Sequence, residues 1–231
     1  MPFDMLPSDD IDWLSVLGPM VEEAKAYIAE NPWAHATMDF ETRSACELTG
    51  PSGRGAWVYS EHPSTEAMCL AYMLPYHDDP SLWHMAYEEI GLHETDLPMD
   101  LFAWLLAGGT VEAHNAFFER AIWENVSVAR QGWPRIKPEQ WRCSASRAST
   151  CSLPRDLDGA VNALGLSIKK DMAGNAIMKK MSKPRKPLKA EQLELKEQGI
   201  DWKDVVLWFV TEDAVEQLHS YCIDDVRAEH L

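Results

Sequence analysis

Asp39 and Glu41 stand two residues apart in the run Met38-Asp39-Phe40-Glu41-Thr42-Arg43. In a strand over residues 34–41 the side chains alternate between faces, so both carboxylates point one way and Phe40 the other. Two acids held side by side repel, and one keeps a proton unless a cation lies between them. All-oxygen ligands of this kind suit a hard divalent ion such as Mg²⁺. A polar strand end running into a turn uses the same residue types, so the pair needs partners from elsewhere in the chain.

Two further acids qualify. Glu119 falls in the first turns of a helix that Asn115 is expected to cap and that runs to about residue 128. The positive end of the helix macrodipole favours an anion there, with or without a function. Near the C-terminus Leu218, Tyr221, Cys222 and Asp225 recur at i, i+3, i+4 and i+7, so Asp225 shares the face that carries Leu218 inward. Unpaired burial of a carboxylate costs several kcal/mol, whereas Asp224 points elsewhere; the plain alternative is a partly exposed Asp225 in an ion pair. His114 reads as a hydrogen-bonded core histidine.

The elements that must position these groups follow from periodicity. Leu17, Met20, Val21, Ala24, Tyr27 and Ile28 recur at helical spacing until Asn31-Pro32, which gives a helical lead-in over residues 1–33 and a main domain over 34–231. After the acidic strand, Gly50-Pro51-Ser52-Gly53 reads as a turn, and residues 56–59 and 68–74 read as strands that complete an antiparallel meander. Leu97-Pro98 opens a helix over residues 100–106, closed by Gly108-Gly109, and residues 110–113 form the next strand. Residues 141–144 read as a strand and 157–164 as a helix ending at Gly165. Asp201 is expected to cap a helix through residue 208, and Thr211 a last helix over 212–229. The fold class is α/β: a meander, then strand and helix in alternation.

With 231 residues, 46% of them hydrophobic, and 10 Trp, the chain can bury a sizeable core. No run approaches the ~18 apolar residues of a membrane span, and Met1-Pro2-Phe3-Asp4 lacks the order of a signal peptide. This predicts a cytoplasmic protein with no membrane partner. Five cysteines without a Cys-x-x-Cys pair argue against a disulfide framework and a zinc site. The net charge of -16 is wrong in sign for a nucleic-acid binder, but its distribution is uneven. Lys169, Lys170, Lys179, Lys180, Lys183, Arg185, Lys186 and Lys189 are opposed only by Asp171. Two prolines and a glycine disfavour a continuous helix or a central strand there, so residues 167–190 read as a mobile basic loop or arm. A solvated loop and a strand-binding arm are both compatible with it.

Taken in order, Asp39-x-Glu41, Asn115-x-x-Phe118-Glu119 and Tyr221-x-x-x-Asp225 resemble the three motifs of the DEDD-superfamily 3′-to-5′ exonucleases. The tyrosine places the resemblance in the subgroup that includes the proofreading domains of phage and bacterial family A DNA polymerases. It spans residues 34–231 and includes the phrases Ala113-His114-Asn115-Ala116-Phe117-Phe118-Glu119-Arg120 and Tyr221-Cys222-Ile223-Asp224-Asp225-Val226. The resemblance implies a ribonuclease H-like mixed sheet flanked by helices. It also implies that Asp39, Glu41, Glu119 and Asp225 hold two Mg²⁺ or Mn²⁺ ions, roughly 4 Å apart, and that Tyr221 orients the attacking water. The expected substrate is a single-stranded DNA 3′ end, released as nucleoside 5′-monophosphates, with a DNA polymerase domain as natural partner. Thr42 and Asn115 match positions near the terminal nucleotide. Lys179, Lys180, Lys183 and Arg185 are the expected strand contacts. The motif usually carries Asp where Glu119 stands, which preserves charge, leaves the second ion's geometry open and leads us to expect slower turnover. Only residues 226–231 follow Asp225, so the expectation is an excised domain or a freestanding nuclease. An RNA-directed exonuclease and a catalytically silent DNA-binding or polymerase-scaffolding domain are the alternatives.

Overall fold

The computed structural model describes residues 11–166 and 172–230. The chain enters through α1 (Trp13–Glu30), where the Asp12 carboxylate accepts from the Ser15 N–H at 3.2 Å and caps the first turn. β1 (His35–Arg43) follows, then α2 (Gly55–Glu61), β2 (Glu66–Met73), β3 (Ser81–His84), α3 (Met99–Leu106) and β4 (Thr110–Ala113). A single helical rod then comprises α4 (Phe117–Ile122), a π-helical stretch (Trp123–Val128) and α5 (Ala129–Gln131), stopped by Gly132 at φ 73°. β5 (Trp141–Cys143), α6 (Ser144–Thr150), α7 (Leu157–Ala163), α8 (Met172–Met181), α9 (Lys189–Glu197) and α10 (Glu212–His230) complete the fold.

The strands form one mixed sheet in the order β3-β2-β1-β4-β5. β1 pairs antiparallel with β2 and parallel with β4; β2 with β3 is antiparallel and β4 with β5 parallel. This is the α/β, ribonuclease H-like arrangement expected from sequence: a meander on one side of β1 and parallel strands on the other. Asp39 lies opposite Ala71 and Glu41 opposite Cys69, after which the register steps to Ala67 opposite Thr42. The step leaves Met68 as an extra residue in β2, a bulge of the kind that re-aims side chains beside functional sites.

The sheet separates two cores. On one face Trp133 packs against Trp83, Trp123 and Phe102 at centroid distances of 4.9, 5.1 and 5.2 Å, and α1 joins through Trp13 on Phe102 at 5.1 Å. Edge-to-face aromatic pairs of this sort contribute about 0.5–1.5 kcal/mol each beyond their area burial. On the other face α10 lies across β1 and β2, burying Val215, Leu218, Cys222 and Val226 against Met68, Ala71 and Met181. Thr211 caps α10 as predicted, its hydroxyl accepting from the Ala214 N–H at 3.3 Å.

Several sequence expectations are corrected. Residues 56–59 are helical within α2, because Tyr59 packs on Phe118 and Asn125 donates to the Ser60 hydroxyl at 2.8 Å. A four-residue apolar run carries no decisive period, and these contacts choose the helix. The third meander strand is instead β3, a short edge strand anchored by the fully buried Trp83. Asn115 does not cap α4: it adopts φ 69°, and Ala116 occupies the cap. Asparagine tolerates the left-handed region, which turns β4 into the helix within three residues. Residues 201–208 give only the short 3₁₀ turn Trp202–Asp204, because Arg185 pairs with Leu207 and holds that segment extended. The basic stretch is not a loop throughout. Its Lys169, Lys170 and Asp171 lie outside the described residues, but α8 is a regular helix whose Ile177, Met178 and Met181 pack against α10. The break expected at Pro184 and Pro187 falls between α8 and α9.

Candidate active site

Strand β1 delivers Asp39 and Glu41 to the α10 side of the sheet, and Phe40 to the tryptophan core, as period-two alternation requires. Asp225 arrives from the facing helix. One carboxylate oxygen from each of Asp39, Glu41 and Asp225 lies within 4.8 Å of the others, the only such cluster of metal-ligating groups among the described residues. Tyr221, one turn earlier on α10, directs its hydroxyl to Asp225. Glu119 enters from the first turn of α4, is 3% exposed, and leaves its Oε2 without a hydrogen-bond partner. All five line one open cleft of about 760 Å³.

Like charge and burial dominate the electrostatics. Desolvation raises Asp39 well above the usual carboxylate range, and the neighbouring Asp225 and Glu229 add to it. Glu41 is raised by desolvation and then by Asp39, and Glu119 likewise. Tyr221 is raised by desolvation and Asp225, so its hydroxyl keeps its proton across the physiological range. The Cys222 thiol donates toward Asp39, 3.4 Å from its carbonyl oxygen and 3.6 Å from Oδ2. A buried set of carboxylates that raise one another is unstable without counter-charge. Its donors are all hard oxygens, and Glu119 Oε2 is buried and orphaned, so the set fits Mg²⁺ or Mn²⁺ and not a thiophilic ion.

The expected strand contacts divide. Lys179 and Lys183, on and just after α8, line the cleft. Lys180 instead sits over the Phe209 ring, 3.3 Å from its centroid, and the Arg185 guanidinium makes two 2.7 Å bonds to Glu191 while its Nε donates to the Trp208 carbonyl. Both cations are held away from the acids by partners the sequence did not reveal. Thr42 lines the cleft with its hydroxyl 2.9 Å from that of Tyr59. Asn115 does not; its exposed side chain accepts from Arg155 at 3.4 Å.

Three residues were given no role from sequence. Tyr59 and Phe118 wall the cleft and pack on each other at 6.0 Å. Glu229 accepts from the Ser144 hydroxyl at 2.7 Å and is raised to about 8, mainly by burial. Its i+4 spacing from Asp225 was the signal that could have found it.

No family model matches the chain. Over 195 residues it is 33% identical to a protein of Bacillus phage SP02 named DNA polymerase, a match that covers 84% of this chain and 26% of that protein. The chain therefore spans about a quarter of the length of the relative it matches, and it is similar to one segment of a DNA polymerase.

Proposed function

We propose that the chain is a divalent-metal-dependent 3′-to-5′ exonuclease that trims single-stranded DNA ends to nucleoside 5′-monophosphates in association with a DNA polymerase. The observation that carries this is the convergence of Asp39, Glu41 and Asp225 within 4.8 Å, with buried Glu119 in the same cleft. The acids come from three segments far apart in sequence, around residues 39–41, 119 and 225, in the order of the exonuclease motifs. The similarity to a segment of a phage protein named DNA polymerase supports the association with replication.

In this reading Asp39, Glu41, Glu119 and Asp225 hold two Mg²⁺ or Mn²⁺ ions, whose chemistry is Lewis-acid activation of water and stabilisation of the phosphodiester's developing charge. Tyr221, kept protonated and bonded to Asp225, has a hydroxyl at the cleft to orient the attacking water. Lys179 and Lys183 offset the charge of the strand, and Thr42, fixed by Tyr59, contacts the terminal nucleotide. In this reading regular elements, β1, α4 and α10, carry the acids, which favours a site assembled before substrate arrives.

The test is release of mononucleotides from a 3′-labelled oligonucleotide in Mg²⁺ or Mn²⁺. Wild-type protein degrades it and Asp39→Ala does not. Release that survives the substitution in a clean preparation refutes the assignment. Matched DNA and RNA strands decide the sugar preference, because the 2′-hydroxyl is what a site uses to tell them apart.

A further inference from the structure

Arg43, the last residue of β1, is a buried cation that the acidic cleft does not use. It follows Glu41 and Thr42 on the strand, is 7% exposed, and does not line the cleft. Its Nε donates to Glu66 at 2.5 Å, and its Nη1 is buried with no hydrogen-bond partner among the described residues. The guanidinium carbon lies 4.9 Å from the centroid of the Trp208 ring, so an aromatic face stands where further bonds are missing. Desolvation strengthens a contact of this kind, and the planar guanidinium suits it better than an ammonium.

Trp208 belongs to an extended segment that pairs with the connection between α8 and α9. The Arg185 N–H donates to the Leu207 carbonyl at 2.8 Å, a backbone bond that a change of the Arg185 side chain leaves in place. The same connection is held a second time: the Ser44 N–H, one residue after Arg43, donates to the Ser182 carbonyl at 3.1 Å. Two consecutive residues at the end of β1 therefore grip both chains of one bridge, Ser44 on the side of residues 182–185 and Arg43 on the side of 207–208. Lys183 stands between these holds, and Lys179 lies in the last turn of α8; both line the cleft, together with Ser182 and Pro184. Both lysines are exposed, so the aim of their charges depends on where the backbone of residues 179–183 is held.

Resting on the reading of Lys179 and Lys183 as strand contacts, we infer that Arg43 and Trp208 are positioning residues for the nucleic-acid strand. Their stacked contact clamps the connection between α8 and α9 to the end of β1 and holds the two lysines at the cleft. The clamp begins two residues after Glu41, so the groups that meet the strand's phosphates and the acids that meet its end are fixed to the same β-strand. A tryptophan on an otherwise irregular segment, over a cation that the fold buries beside the first acidic motif, is thereby given a task.

The experiment measures binding of a short 5′-fluorescein-labelled oligothymidylate to the full chain by anisotropy from 50 to 300 mM salt, in EDTA so that the strand is not cut, with Mn²⁺ uptake followed separately by calorimetry. Trp208→Ala binds the strand about tenfold more weakly and lowers the salt slope by about 1, most of the ~1.4 that two lysines carry at ~0.7 per phosphate contact. Its Mn²⁺ uptake stays at the wild-type level. Trp208→Phe, which keeps a ring over the guanidinium, stays within about twofold of wild type. In a Lys179→Gln, Lys183→Gln background Trp208→Ala costs less than about twofold, because the charges it positions are gone. Arg43→Ala removes the other partner, gives the same pattern, and serves if Trp208→Ala does not fold. Unchanged affinity and slope in both single variants, or an equal loss with and without the two lysines, overturns the clamp and leaves the nuclease reading standing. Wild-type strand binding that does not respond to Lys179→Gln with Lys183→Gln removes the contacts on which the inference rests and overturns it too, whereas the metal-dependent reading falls only with Mn²⁺ uptake or mononucleotide release.

Discussion

Replacing Glu229 by Gln in metal-free protein should raise stability, and should do so only at pH values where the unfolded chain releases the proton that native Glu229 keeps. Burial lifts this carboxyl from 4.5 to about 8, with Glu112 and Cys143 adding and the Ser144 hydroxyl opposing. A folded-state value above the unfolded one means that the native protein keeps a proton the unfolded chain releases. Stability from this group is complete below about pH 4.5 and is lost as pH rises toward 8. pH 7 lies ~2.5 units above the unfolded value of 4.5, at ~1.4 kcal/mol per unit, so the charge-free variant gains up to about 3 kcal/mol. Side-chain relaxation and water entry reduce this, and for a chain of this size 1–3 kcal/mol corresponds to roughly 3–10 °C in Tm. The assay is thermal unfolding by circular dichroism in EDTA at pH 5, 6, 7 and 8. Asp39, Glu41 and Glu119 are raised too, and His219 is lowered to about 4, but these groups are present in both proteins. The Tm difference should be small at pH 5 and grow through pH 8. A difference that is flat across pH, or a variant less stable than wild type at pH 8, refutes the reasoning.

Two other outcomes are expected. Lys179→Gln with Lys183→Gln should weaken binding of a short single strand and reduce its salt slope by about 1.4, at ~0.7 per phosphate contact. The pair Lys180→Gln with Arg185→Gln should leave the slope unchanged, since those cations are engaged by Phe209 and Glu191; equal effects from the two pairs, measured by fluorescence anisotropy from 50 to 300 mM salt, would contradict the division. Tyr221→Phe should lower kcat roughly 10- to 100-fold while Mn²⁺ uptake stays at the wild-type level, because the hydroxyl and not the ring is lost. Loss of cation binding in that variant would show that Tyr221 acts by holding Asp225.

What the amino-acid order determined by itself was local or periodic. Helical spacing announced α1 and α10, alternation placed Asp39 and Glu41 on one face of β1, and Thr211 marked the start of α10. The acids could also be read from their order, because each sits in a short phrase whose residues are contiguous. Tertiary structure decided the rest. Residues 56–59 have no decisive period, and only the packing of Tyr59 on Phe118 made them helical. Lys179 and Lys180 are neighbours in sequence, yet one lines the cleft and the other lies on an aromatic ring, because α8 presents them at different angles after docking on α10. The shifts of Asp39, Glu41 and Glu119 arise from desolvation and repulsion among acids on β1, α4 and α10, and that of Glu229 from desolvation with Glu112 on β4 adding. Such a field depends on distances between groups up to 190 residues apart in the chain, from Asp39 to Glu229. Local pattern fixes which face a side chain occupies, and only the packed sheet fixes what that face meets.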